Sequence, residues 1–346
     1  MQQSGEPKQS AARPILLVLA AALIVAAVAL SASRKAAPTW VAVGPVTPLP
    51  ATFAMDGDGG VYYLCDGTEF HWPSGDRWAL NPRNFTVDPS VPSYVSGIVT
   101  GDGVVYSTQP VLEFHRGNSA GEPIAGLTYC CAASGKFLVG CDRHFNYLLH
   151  CDGGPTVALP GMTRGVNSSG QALVLTHNSS VVQVWTHGRS AFLHNASWPN
   201  DGRSINETGG VAGSVVDAVA RHPCVWLSPA FSPRILPCVN PHALPEADAV
   251  NDRGVAVGSD GVSPDFGRPV MWTADGREVF LASRGIYGDA YSIDDRGDIA
   301  GEREVRSPKG SLGRFEDWID AKWPQGYEKP FPRGWQIVLW RRGSAK

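Results

Sequence analysis

Several chemistries are missing from this 346-residue chain. No CxxC pair occurs among its seven cysteines, which argues against a zinc or thioredoxin-type site. There is no HExxH helix and no Gly-Lys-Ser/Thr loop. The nine histidines show no metal-ligand spacing, so neither a metal nor a cofactor is expected. No long basic block exists and the net charge is only -3, which excludes nucleic acid as a partner held by bulk electrostatics. Two motif spellings fail on context. "GNSAG", Gly117 to Gly121, has the letters of a nucleophile elbow around Ser119, yet Glu122-Pro123 follow where the elbow needs a helix. "DGDGG", Asp56 to Gly60, lacks the third acidic position and the closing Glu of a calcium loop.

What the chain has is turns and a repeat. Gly 39 and Pro 27 alongside Trp 11 point to short strands joined by many turns. "AVNDRGVAVGSD", Ala249 to Asp260, turns on Gly254. "YSIDDRGDIAGE" repeats it at Gly297, "RSINETGGVAGS" at Gly209 and "RGVNSSGQALVL" at Gly170. Weaker copies centre on Gly59, Gly103 and Gly135, so the turn glycines are spaced by 44, 32, 35, 39, 45 and 43 residues. Each copy is followed by a strand, a second turn and another strand. Trp72, Trp185, Trp226, Trp272 and Trp340 hold one equivalent position, and Phe114 and His150 stand in for Trp in the two weakest units.

A unit of four short strands cannot bury its Trp alone, whereas several packed radially can. The expectation is an all-β fold: a seven-bladed β-propeller over residues 39–346, with six or eight blades as alternatives. The last unit ends after its Trp340 strand and lacks a fourth. "TWVAVGPVTPL", residues 39–49, is an orphan strand that would complete it and close the ring. The pattern Ala-x-x-Ile-Asn-Asp-x-Gly-x-Val-x-Gly followed by a Trp strand resembles the HAF-type extracellular repeats of bacteria, across about residues 164–304. The name-giving His-Ala-Phe is replaced here by "RHPCVW" and "GRPVMW". The resemblance implies an envelope or secreted location and this architecture, and carries over no catalytic residue.

Pro14 to Ser33 is uncharged and about the ~20 residues that span a bilayer. The expected layout is a cytoplasmic tail 1–13, a transmembrane signal anchor 14–33 and a linker 34–38. A signal peptide cut after Ser31 or Ser33 is the other reading. The anchor places the propeller at a bacterial inner membrane, facing the periplasm or the exterior. Cleavage would make it secreted. Two cysteine pairs, Cys224 with Cys238 and Cys141 with Cys151, are placed to face each other across hairpins as disulfides; buried free thiols are the alternative. Five Asn-x-Ser/Thr sequons occur, at Asn84, Asn167, Asn178, Asn195 and Asn206, of which Asn167 and Asn206 are repeat-turn residues.

Counting along the second strand of each unit gives Asp66, Asp142, His177, Asp260 and Glu304 at the face that usually holds a propeller's ligand. They form a weak catalytic ring for an enzyme acting on glycans, set against the reading that loop ends are simply polar. The last unit also carries an insertion, residues 305–334, longer than ordinary loops. Its aromatics either pin the loop to the ring or, as Trp318, Trp323, Tyr327 and Phe331 with Arg303 and Arg314 beside them, make a platform for a sugar or a peptide. The favoured function is a monomeric binding or scaffold module. Its partner would be an unknown protein or glycan of the cell envelope.

Overall fold

The repeat glycines sit where only glycine is comfortable: φ is 54° at Gly135, 77° at Gly170, 85° at Gly209, 74° at Gly254 and 93° at Gly297. The computed structural model describes residues 124–305 except 125, 177–181, 194–199, 231, 264–265 and 283–286. It also describes the strand backbones between residues 40 and 123, and residues 334–342. One compact unit spans Val41–Arg341. A second gathers Met1–Trp40 with Arg342–Lys346, and of it only Trp40 and Arg342 are described. Segment 14–33 lies outside the described residues, and no described helix is long and apolar enough to cross a membrane.

The described strands form six four-stranded sheets and one five-stranded sheet. Each four-stranded sheet is an up-and-down antiparallel meander of consecutive strands. One example is Glu246–Val250, Ala256–Ser263, Phe266–Trp272 and Glu278–Phe280. In the five-stranded sheet, Gly288–Ile293 and Ile299–Val305 pair in order with Gly334–Arg342, and both Trp40–Val43 and Val46–Thr47 lie against that last strand. The first strand of each sheet packs on the first strand of the next. Gly288–Ile293 returns to Phe53–Met55, so the first strands make a closed cycle.

The core lies between successive sheets. Leu173, Val182 and Val184 of one sheet pack with Val211, Cys224 and Trp226 of the next. On the other face of that second sheet, Ala212 and Val225 meet Val250, Val270 and Trp272. Adjacent strand residues therefore serve opposite interfaces, which is the period-two pattern seen in the sequence. Trp185, Trp226, Trp272 and Trp340 are all buried. Each faces the residue two beyond its turn glycine: Ala172, Val211, Ala256 and Ile299.

That register corrects the weak units. Val105 and Phe137, two beyond Gly103 and Gly135, face His115 and Cys151. Phe114 and His150 stand one residue earlier, out of register with the tryptophan position. The cysteine pairing is corrected as well. Cys130, Cys131, Cys141, Cys151, Cys224 and Cys238 are free thiols. Cys141 faces Tyr147 while Cys151 faces Phe137, at opposite ends of one hairpin. That is on the order of 13 Å along the ladder, where a disulfide needs Cα atoms within about 7 Å. Cys224 faces Ile235, and Cys238 comes three residues later.

The turns between first and second strands are joined from sheet to sheet. Asn167 Nδ2 donates to the Asn206 carbonyl at 2.9 Å, Asn206 Nδ2 to Asn251 at 3.0 Å, and Asn251 Nδ2 to Asp294 at 2.9 Å. The sequon amides of Asn167 and Asn206 are thus engaged, which accounts for both by turn chemistry.

Candidate functional site

Five of the seven first strands carry one residue more than their partners. The ladder skips Arg164 between Thr163 and Gly165, Arg203 between Gly202 and Ser204, Asp248 between Ala247 and Ala249, and Tyr291 between Ala290 and Ser292. Cys131 is skipped in the same way. These are β-bulges, which re-aim a side chain and are common beside functional sites. The bulge pushes the first strand toward the second. A Cβ on Gly258 would collide with the Glu246 carbonyl, and one on Gly301 with the Asp289 carbonyl. The closing glycine of Val-x-Gly is therefore a close-approach residue.

Two residues before each bulge stand Asp201, Glu246 and Asp289, paired with Ser214, Ser259 and Glu302. Since first strands adjoin one another, charged groups from four consecutive sheets meet. On one side they are mostly paired. Arg203 and Arg221 both bind Glu246. Asp201 sits 3.4 Å from Arg203 Nε, 3.6 Å from Arg221 Nη1 and 3.9 Å from Arg164 Nη2. Bulge residues on neighbouring strands thus contribute to one ion-pair network.

On the other side carboxyls crowd together. The Tyr291 hydroxyl lies 3.0 Å from Glu302 Oε1 and 3.3 Å from Asp289 Oδ2. The Ser259 hydroxyl of the preceding sheet also donates to Asp289. Burial, then the charges of Asp289 and Glu246, push the Asp248 carboxyl up to about 8. Burial pushes Glu302 up to about 7, against the hydrogen bond from Tyr291. Asp289 is raised by burial too, and Tyr291 is raised by burial and by its acidic neighbours. Directly opposed carboxylates repel, so around neutral pH this group holds protons that ordinary carboxyls have lost. Glu302 is 4 % exposed, and its Oε2 has no hydrogen-bond partner.

Of the residues singled out from sequence, the described Asp142 and Asp260 serve local structure. Asp142 accepts from the backbone N–H groups of His144 (2.7 Å) and Asn146 (2.9 Å) and from Asn146 Nδ2 (2.8 Å). It closes its hairpin, and the Asn146 side chain leads in lowering its carboxyl. Asp260 is buried and accepts from the Val239 N–H at 2.9 Å, bracing the connection into its sheet, while burial raises its carboxyl. Arg303 and Glu304 lie on the backbone of a described strand, opposite Gln336 and Trp335. Asp66, His177, Arg314, Trp318, Trp323, Tyr327 and Phe331 lie outside the described residues. The first-strand members of the cluster escaped notice because they precede the turn glycine by eight residues (Asp201, Glu246, Asp289) or six (Arg164, Arg203, Asp248, Tyr291). The signal was present: Arg164, Arg203 and Tyr291 each head a quoted copy of the repeat.

Among the described residues no group of three His, Cys, Asp or Glu side chains is placed to hold a metal ion. No family model matches the chain, and no curated protein sequence does. Solved structures do. A streptogramin B lyase aligns with TM-score 0.50 and 10% identity, over 87% of this chain and 97% of that one. YCF48 bound to D1 peptide aligns with TM-score 0.50 and 10% identity, over 90% and 98%. Such identities speak to fold alone. With the repeated four-stranded sheets, they make this an all-β repeat protein of the β-propeller type.

Proposed function

We propose that the chain is a seven-bladed propeller acting as a binding or scaffold module of a bacterial cell envelope. Segment 14–33 tethers it to the membrane, and it works as a monomer. The HAF-like repeat and the uncharged N-terminal segment support the location. The closed cycle of first strands supports the blade count. The observation that carries the binding role is the meeting of Arg203, Arg221, Glu246, Asp248, Asp289 and Glu302 where first strands adjoin. Residues 306–333 connect Val305, the end of the Glu302 strand, to Gly334, the start of the strand paired with it. Arg303, Arg314, Trp318, Trp323, Tyr327 and Phe331 would form the rim of the same ligand site.

Full-length protein in detergent, immobilised and probed with arrays of envelope glycans and peptides, tests this. A retained ligand should weaken at least tenfold in Arg203→Gln and persist in Asp252→Asn, altered in a turn at the far end of the first strand. Equal retention by both variants would sink the assignment. Intact-mass measurement on the membrane fraction tests the anchor; a chain beginning near Ala32 or Arg34 refutes it.

The second reading, an enzyme acting on glycans, is favoured by one observation. Through the Tyr291 hydroxyl, Asp289 and Glu302 oxygens come within about 6 Å, near the ~5–5.5 Å carboxyl spacing of retaining glycosidases. It expects Glu302→Gln to abolish release of reducing ends from envelope polysaccharide; wild-type protein that releases none refutes it.

A further inference from the structure

Resting on that reading of the clustered charges as a ligand site, we infer that its acidic half takes an organic cation. This is an ammonium or guanidinium group seated between Asp248, Asp289 and Glu302, with the Tyr291 ring beside it. The charge balance of the two halves supports this. Five carboxyls stand against three guanidiniums: Arg164, Arg203 and Arg221 pair with Asp201 and Glu246. The remaining three carboxyls share only the neighbouring influence of Arg203, whose guanidinium already serves Glu246. A cation there would favour the ionised forms of carboxyls that otherwise hold protons around neutral pH.

The second observation is independent of charge counting. Glu302 is 4 % exposed, its Oε1 is turned to Tyr291, and its Oε2 has no hydrogen-bond partner. A buried carboxyl oxygen with no donor costs on the order of 1–3 kcal/mol. An N–H of a ligand would supply the missing bond. A bare metal ion does not suit the cluster, since no three potential ligands among the described residues converge on one point. A larger group with N–H donors fanned in several directions does. A cation would approach from the side of Asp248 and Asp289, which are half-buried, and of Tyr291, which is 36 % exposed and leaves ring surface to lie against, with the buried Glu302 behind them.

The same chemistry could arrive on a free polyamine or on a cationic side chain of a peptide. Calorimetric titration of full-length protein in detergent would use agmatine, spermidine, an end-blocked lysine peptide and choline. Agmatine should bind, and choline, which has no N–H, at least tenfold more weakly. Spermidine outranking the peptide assigns the free amine as the source; the reverse order assigns the peptide. Glu302→Gln and Asp289→Asn should each weaken agmatine at least tenfold. A measurement needing no variant guards against misfolding: agmatine should protect the half-buried Asp289 from carbodiimide labelling read by mass spectrometry. Saturable binding absent for every amine, equal binding of choline, unchanged affinity in both variants, or labelling indifferent to agmatine overturns the inference. An array ligand that is still lost in Arg203→Gln under those outcomes would leave the binding module standing without its cation.

Discussion

At Asn251 the amide oxygen accepts from the backbone N–H groups of Arg253 (3.1 Å) and Val255 (3.0 Å), while Nδ2 reaches the carbonyl of Asp294. Aspartate could do the first and not the second. Asn251→Asp should therefore fold with an intact turn but lose about 1 kcal/mol. A fall in Tm of roughly 1–2 °C, expected for a unit as long as Val41–Arg341, would register it. Asn251→Ala, which also uncaps the turn, should fall further. Glu302 gives a prediction in pH. Its folded value near 7 lies above the ordinary 4.5, so the folded state holds a proton that the unfolded state releases. That stability is complete below about pH 4.5 and is lost as pH rises to about 7. Asp248, raised to about 8, extends the loss upward. Asp217, lowered to about 2 mainly by the Val219 N–H, acts in the opposite sense and only as pH falls below about 4. Melting temperature should thus decline from pH 5 to pH 8, and Glu302→Gln, fixed in the neutral form, should flatten that decline. Equal slopes in both proteins would refute the account.

Among the elements, the first strand and its partner must be read together. A first strand with a bulge needs a second strand that yields at one place, and Gly258 is that place. Gly258→Ala should cost about 1–3 kcal/mol as a forced overpacking. Because the obstacle is the Glu246 carbonyl, the change should also weaken any ligand whose binding depends on Arg203, measured on the same arrays. The turns, the strand alternation and the Trp positions were legible because each rests on local chemistry: a positive φ, a period of two, a large ring to bury. Where tryptophan gives way to His115 or Cys151 that marker vanishes, and a slip of one residue followed. The acidic cluster was hidden for a different reason. A bulge breaks the period of two just where the side chains matter, so counting forward from the glycine led to Asp142 and Asp260, which close a hairpin and brace a connection.

For the molecule as a whole, closure rests on strands from distant parts of the chain. Gly334–Arg342 pairs on one side with Ile299–Val305 and on the other with residues near the start, where Val46 faces Gln336 and Thr47 faces Trp335. Deleting Trp40–Thr47 should leave that last strand as an open edge. Lowered Tm and concentration-dependent assembly in light scattering should follow; a monomer of unchanged Tm would contradict it. The bulge has one more consequence. A residue that pairs with nothing in the ladder can be replaced without moving the strands on either side, as type is reset in a fixed frame. Cys131, Arg164, Arg203, Asp248 and Tyr291 already fill five such slots with thiol, guanidinium, carboxyl and phenol. Descendants of this chain can acquire new tastes one slot at a time, with the ring itself left untouched.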